Sequence, residues 1–166
     1  MKDVKKVDPG EAKPTYAHHV ISKLEERGFV KYYVQQNHDG LPQKAGFPQE
    51  KINEIHGAWF DPSNPVVQFS GSLRSDLFKW MLEIEEETDL CLCLGTSLSG
   101  MNADRCAWTP AKKYCKKKLG NGTIMINLQK TEIDQFSSIR VWAKIDDAFD
   151  ILVKKLGKNL FFNFFF

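Results

Sequence analysis

Three polar side chains near the ends of apolar runs, and one glycine–hydroxyl turn further along, have the types and spacing to do chemistry. Asn37 and Asp39 follow the run Phe29–Gln35, and His56 lies in Glu54-Ile55-His56-Gly57. Together they offer an amide, a carboxylate that can hold sugar hydroxyls, and an imidazole that can accept a proton. Gly95-Thr96-Ser97-Leu98-Ser99 has the composition of an anion-cradling turn, because glycine lets backbone approach a phosphate while hydroxyls and amides donate to it. Each feature also has a plainer reading. Asn37 and Asp39 can simply form a turn before Gly40, His56 can be an ordinary turn histidine, and Gly95–Ser99 can join a strand to a helix with a hydroxyl cap.

Those residues need elements to position them. Ala17, Val20, Ile21 and Leu24 recur at helical spacing between Pro14-Thr15 and Gly28, predicting an amphipathic helix over Thr15–Arg27. Phe29–Gln35 reads as a strand running into the polar loop Gln36–Gly40, and Pro42–Ile55 as a mixed stretch with a short helix. Pro65–Phe69 reads as a short buried strand. Leu73, Leu77, Met81 and Ile84 predict a helix over Leu73–Glu87. Asp89–Leu94 is an unbroken apolar run, the pattern of a central parallel strand covered on both faces. A helix over Asn102–Lys118, strands at Thr123–Leu128 and Ile139–Trp142, and a helix over Asp146–Leu156 complete an alternation of β and α units. This predicts an α/β fold with a doubly wound, mostly parallel, Rossmann-like sheet and helices on both faces. Ligands then bind outside the carboxyl ends of the strands.

Composition narrows the partners. The chain has 166 residues, 42% apolar and 27% charged, with a formal net charge of +2. This is ordinary for one soluble domain and too balanced for a phosphate-seeking polycation, so no nucleic-acid partner is expected. No run approaches the roughly 20 apolar residues of a membrane span, and the start of the chain lacks the apolar core of a secretory signal. Cys91, Cys93, Cys106 and Cys115 form no C-x-x-C pair, which predicts a reducing, intracellular setting and no metal site. Cys91 and Cys93 read as small core residues on one strand face, and Lys112, Lys113 and Lys116–Lys118 as a solvated basic face. The expected division is a polar segment 1–13, a main domain 14–157, and a phenylalanine-rich tail 158–166.

Taken jointly, Pro14-Thr15-x-x-His18, Gln36-Asn37-His38-Asp39-Gly40-Leu41, Ala45-Gly46, Glu54-Ile55-His56-Gly57, Pro65-Val66-Val67-x-Phe69, Gly95-Thr96-Ser97-Leu98-Ser99 and Ile126-Asn127-Leu128 resemble the sirtuins, in the family's order. The resemblance spans roughly residues 13–156 and implies an NAD-dependent protein-lysine deacylase. It makes His56 the general base that activates a ribose hydroxyl. Asn37 and Asp39, with Gln36 beside them, line the nicotinamide and ribose pocket, and Asn37 joins His56 in the catalytic pair. It further implies that Val67 and Phe69 flank an acyl-lysine tunnel, that Gly95, Thr96 and Ser97 hold the cofactor's phosphate and ribose, that Asn127 holds its adenosine end, and that Asp146 closes over adenine. NAD is the implied cofactor and an acyl-lysine protein the implied substrate.

The chain also departs from the family's pattern. Nothing before Pro14 matches the G-A-G-x-S loop or the I-P-D-F-R stretch, so the first β-α unit is expected to be missing. Only seven residues separate Gly57 from Pro65, leaving no room for the small zinc-binding domain; no zinc is expected. His38 stands for the usual isoleucine, Pro42 for the usual histidine, and Ser70-Gly71-Ser72 where an acidic residue often helps to bind peptide. Two functions therefore stay open. One is a zinc-free enzyme of this type; the other is a degenerate, inactive module of a larger assembly, with Leu160–Phe166 and an exposed sheet position as its partner surfaces.

Overall fold

Thr15 starts helix α1 (Tyr16–Glu26) by donating its backbone N–H to His18 Nδ1 at 3.2 Å, so an imidazole closes the first turn where a carboxylate commonly does. The structure, a computed structural model, describes residues 11–157. Residues 1–10 of the expected polar segment, and all of the expected tail 158–166, lie outside the described residues. The chain divides into two compact units, one up to Arg74 and one from Ser75.

In the first unit α1 buries the predicted stripe Ala17, Val20, Ile21 and Leu24 and stops at Gly28, where φ is +78°. Strand β1 (Tyr33–Gln35) pairs in parallel with β2 (Ile52–Glu54), Tyr33 opposite Ile52 and Gln35 opposite Glu54. Between them lie helix α2 (Leu41–Lys44) and the 3₁₀ turn Gln49–Lys51. Two expectations need correction. Only the last three residues of Phe29–Gln35 form a strand, and β2 arises where the sequence shows no alternation, because all three of its residues are buried. Pro65–Phe69 is not a strand: Pro65 has no N–H to donate, Val67 N–H alone finds a carbonyl, that of His56 at 3.0 Å, and Phe69 is 97% exposed.

The second unit is a parallel three-stranded sheet with helical connections. It contains α3 (Ser75–Glu87), β3 (Leu90–Leu94), α4 (Arg105–Lys117), β4 (Gly122–Ile126), β5 (Ile139–Val141) and α5 (Ile145–Leu156). The strand order is β3-β4-β5, with Leu92 opposite Ile124 and Ile124 opposite Ile139. Cys93, Leu98, Ala107, Ala111, Met125 and Ile133 form its core, against which Cys91, Trp108 and Phe136 pack. Burial pushes the Cys93 and Cys106 thiols up to about 12. Ala107 and Ala111, one helical turn apart, are both buried, and the Ala107 carbonyl accepts from Thr123 Oγ1 at 2.7 Å. The apolar run of β3 predicted a central strand. In its sheet β3 lies at an edge and β4 is central, with Leu90 43% exposed. Hydrophobicity reports what covers a strand's faces, not how many strands pair with its sides. Parallel strands joined by helices in both units match the predicted Rossmann-like α/β class.

Candidate functional site

In the first unit the turn after β1 is built around Asp39. Its Oδ1 accepts from Leu41 N–H at 3.0 Å and from Gln35 Nε2 at 3.1 Å, so the buried end of the strand fixes the carboxylate. Burial, and then the Asp39 charge, push the Tyr33 hydroxyl up to about 12. Gly40 makes the turn at φ +64°, and a Cβ there would come within 2.6 Å of the Phe60 ring. Gln36, Asn37, His38 and Asp39, with Ala12 and Trp59, line a cavity of about 370 Å³. Asn37 is exposed; Gln36 and Asp39 are half-buried.

His56 follows β2 in a turn closed by Gly57 N–H donating to Glu54 O at 2.9 Å. The imidazole residue is buried and does not line the cavity. His38 links the two turns: its Nδ1 donates to Gly57 O at 2.7 Å, and its own carbonyl accepts from Trp59 N–H at 3.0 Å. The departure at position 38 therefore has a structural task. The buried Glu54 carboxylate accepts from Gln43 Nε2 at 2.9 Å and Gln49 Nε2 at 3.3 Å.

In the second unit Gly95 leaves β3 with φ +59°, and a Cβ there would meet Ile145 Cδ1 at 3.0 Å. The start of α5, where Asp146 sits in the first turn, thus packs beside the glycine turn. Ser97 and Ser99 share a hydroxyl bond of 2.6 Å on the exposed side. Leu98 is buried at φ +51°, a left-handed conformation that a leucine adopts only under packing constraint. Asp104 Oδ2 accepts from Gly100 and Met101 N–H at 2.8 and 2.9 Å. Asn127 Nδ2 donates to Thr96 O at 2.6 Å and Asn127 Oδ1 accepts from Gln129 N–H at 3.3 Å, so this side chain ties the end of β4 to the turn.

Sequence reasoning missed the group that holds Asn127. Arg140 Nε donates to Asp134 Oδ1 at 2.9 Å, Nη1 to Asn127 O and Val141 O at 2.9 and 2.6 Å, and Nη2 to Gln129 O at 2.7 Å. Its guanidinium lies 3.5 Å from the centre of the Trp142 ring. Burial raises the Asp134 carboxyl, but hydrogen bonds from Thr131 and the charge and bond of Arg140 outweigh it and hold the group below the ordinary 3.8. The available signal was Thr131-x-x-Asp134, a hydroxyl and a carboxylate at capping distance. A second cavity of about 380 Å³ lies beside Glu85, whose carboxylate accepts from Arg105 Nε at 2.7 Å and from Thr109 Oγ1 at 2.6 Å.

The structure thus brings Gln36, Asn37 and Asp39 together on one cavity, with His56 in the adjoining turn. It joins Thr96 to Asn127 and Gly95 N–H to the Ile126 carbonyl, with α5 alongside. Val67 meets His56 through its N–H on the His56 carbonyl at 3.0 Å, but neither Val67 nor Phe69 lines the Asn37 cavity. Among the described residues, no group of three His, Cys, Asp or Glu could hold a metal ion, and no helix is long and apolar enough to cross a membrane.

Comparison with known proteins adds independent findings. A family model for the Sir2 family matches residues 1–64. The chain is 26% identical over 202 aligned positions to the NAD-dependent protein deacetylase sirtuin-7 of Bos taurus, covering 96% of this chain and 50% of that protein. It is 28% identical over 187 positions to the NAD-dependent protein deacetylase SRT1 of Arabidopsis thaliana, covering 90% of this chain and 38% of that one. The chain spans about half the length, or less, of these curated relatives. An alignment of 202 positions exceeds the 166 residues available, so the relative carries segments that this chain lacks. A solved structure of Sir2 with a p53 peptide and NAD+ superposes with a TM-score of 0.76 at 21% identity, covering 90% of this chain and 72% of the other.

Proposed function

We propose that the chain is a member of the sirtuin family and, within it, an NAD-binding domain of the NAD-dependent protein-lysine deacetylase type, with His56 as general base. One observation carries the reading: Gln36, Asn37 and Asp39 line a single cavity of about 370 Å³, with Asp39 held by two hydrogen bonds before any ligand arrives. The names of the relatives, and the peptide and NAD+ in the superposed structure, support NAD and an acyl-lysine protein as the substrate pair.

Each unit by itself offers donors of a kind that a dinucleotide uses. Amides at Gln36 and Asn37 suit a carboxamide, and the Asp39 carboxylate suits sugar hydroxyls. The exposed Gly95 backbone, with Thr96 and Ser97, suits phosphate and ribose. Asn127, whose polar atoms are engaged inside the fold, would act at the adenosine end by fixing that turn, with Asp146 beside it. When bound, NAD supplies an electrophilic ribose carbon as nicotinamide departs. In this reading His56 takes the proton from a ribose hydroxyl, and its buried position keeps that transfer away from bulk water. Val67 and Phe69 would flank the acyl-lysine; the chemistry needs no structural zinc. Free thiols at all four cysteines fit a reducing, intracellular setting.

A second reading, a catalytically silent interaction module, draws on two facts: His56 does not line the cavity, and Phe69 is 97% exposed. In that reading Leu160–Phe166 and an uncovered sheet position meet a partner chain. Nicotinamide release from NAD with an acetyl-lysine peptide separates the two. For the enzyme, His56→Ala lowers turnover on the order of 100-fold or more, while calorimetry shows NAD still bound. Turnover that survives His56→Ala removes the proposed mechanism, and NAD binding without release favours the silent module.

A further inference from the structure

We infer that Asn64 is a positioning residue that sets the pose of the His56 imidazole through the backbone of the turn that carries it. The inference rests on the reading of His56 as general base. Asn64 is 4% exposed and holds that turn at both sides. Its side-chain Nδ2 donates to Glu54 O at 3.0 Å, the same carbonyl that closes the turn by accepting from Gly57 N–H at 2.9 Å. Its backbone carbonyl accepts from Ala58 N–H at 2.9 Å.

Asn64 is itself anchored from below. Its N–H donates to Asp61 O at 3.1 Å, and Asp61 Oδ1 accepts from Ser63 N–H and Oγ at 2.8 and 2.7 Å. Arg74 Nη1 donates to Ser63 O at 3.1 Å. The short connector 58–64 is therefore a braced hook whose buried tip reaches the turn. Backbone bonds alone close the connector, since Ala58 reaches Asn64 and Val67 reaches His56 O at 3.0 Å. The Asn64 amide donates to one carbonyl, two residues before His56, so its effect falls on the dihedrals between Glu54 and Gly57, which aim the imidazole. An error of about 1 Å in a catalytic group can cost on the order of 100-fold in rate.

The test uses the full chain and Asn64→Asp, which keeps the shape, removes the donor and sets a carboxylate oxygen against the Glu54 carbonyl. Ser63→Ala, which loosens the hook without touching the Asn64 amide, is the control. We expect kcat for nicotinamide release from NAD and an acetyl-lysine peptide to fall on the order of 10- to 100-fold. KM for NAD should stay within about threefold, and the thermal midpoint near that of Ser63→Ala. In parallel, the ¹³Cε1–¹H resonance of the His56 ring should shift in Asn64→Asp and hold in Ser63→Ala. An unmoved His56 resonance in folded Asn64→Asp overturns the inference, as does an equal loss of kcat and of thermal midpoint in both variants. Should the wild-type chain release no nicotinamide, the reading of His56 as a catalytic base fails, while the ring resonance still decides whether Asn64 aims it.

Discussion

The two units hold a polar turn at the end of a strand by different means. In the second, β3 and β4 share five consecutive rungs, and the loops beyond them are gathered by charged groups: Asp104 on two backbone amides, Arg140 on three carbonyls. In the first, β1 and β2 share three rungs, and the turn bearing His56 is held by neutral contacts of Asn64 and His38 and by the close approach of Gly57 to Pro65. A ladder and charged bonds spread strain over many partners. A few neutral bonds and one steric contact do not, so the His56 turn should answer most sharply to single substitutions.

The largest expected effect tests that contrast directly. Gly57 has φ +85°, and a Cβ there would lie 2.3 Å from the Pro65 carbonyl oxygen, a backbone atom that cannot swing aside. Gly57→Ala should cost about 3 kcal/mol or more in chemical denaturation, or prevent folding. Gly40→Ala faces only the Phe60 side chain, which is half exposed, and should cost about 1 kcal/mol. Equal costs at the two glycines would break the comparison.

Next comes the charged bracket of the second unit. Asp134→Asn should destabilise by about 2 kcal/mol at pH 7, because it removes the charge from hydrogen bonds with Arg140 and Thr131. The sign with pH follows from the lowered Asp134 and Glu85 carboxyls. In Glu85 burial pushes upward and is outweighed by hydrogen bonds from Arg105 and Thr109. Groups that bind protons more weakly folded than unfolded stabilise the protein above their ordinary values, 3.8 and 4.5, and lose that contribution as pH falls through the folded values. Stability should therefore drop below about pH 4.5, and less steeply in Asp134→Asn. Urea titrations at pH 7, 4.5 and 3 check this.

The smallest effect concerns the thiols. Burial raises Cys91, Cys93 and Cys106, while Cys115 is exposed on α4. A disulfide reagent at pH 8 should titrate one thiol in the native protein and four in denaturant, and Cys115→Ser should abolish the native signal with a stability change within about 0.5 kcal/mol. A second reactive native thiol would show the sheet's core to be looser than its ladder implies.

These contrasts explain what could be read in the sequence. Helices α1, α3, α4 and α5 and the three strands of the second unit announce themselves, because each carries its own period or apolar run. The residue types of the candidate site, Asn37, Asp39, His56 and Gly95–Ser97, are likewise visible as turns after such runs. What holds them is not. Asn64, His38 and Arg140 act through bonds to carbonyls 10, 19 and 13 residues away, and no local spacing encodes them. The same reason hides β2, three buried residues whose strand character comes from pairing with β1. It also misled at Pro65–Phe69, where β-branched residues suggest a strand but no partner ladder forms.

The hook at 61–64 has a use beyond its bonds. Its outer bend, Pro62–Ser63, is exposed and contributes little to the packed interior. Lengthening a surface loop is thermodynamically mild, about 0.6 kcal/mol for each doubling. A reporter or affinity peptide spliced between Pro62 and Ser63 would cost little in chain entropy but would separate Asp61 from Ser63 and Asn64, so its effect would appear in the pose of the buried amide rather than in the packing of the fold. That exposed bend is thus a handle for labelling whose effect on the buried amide can be read directly.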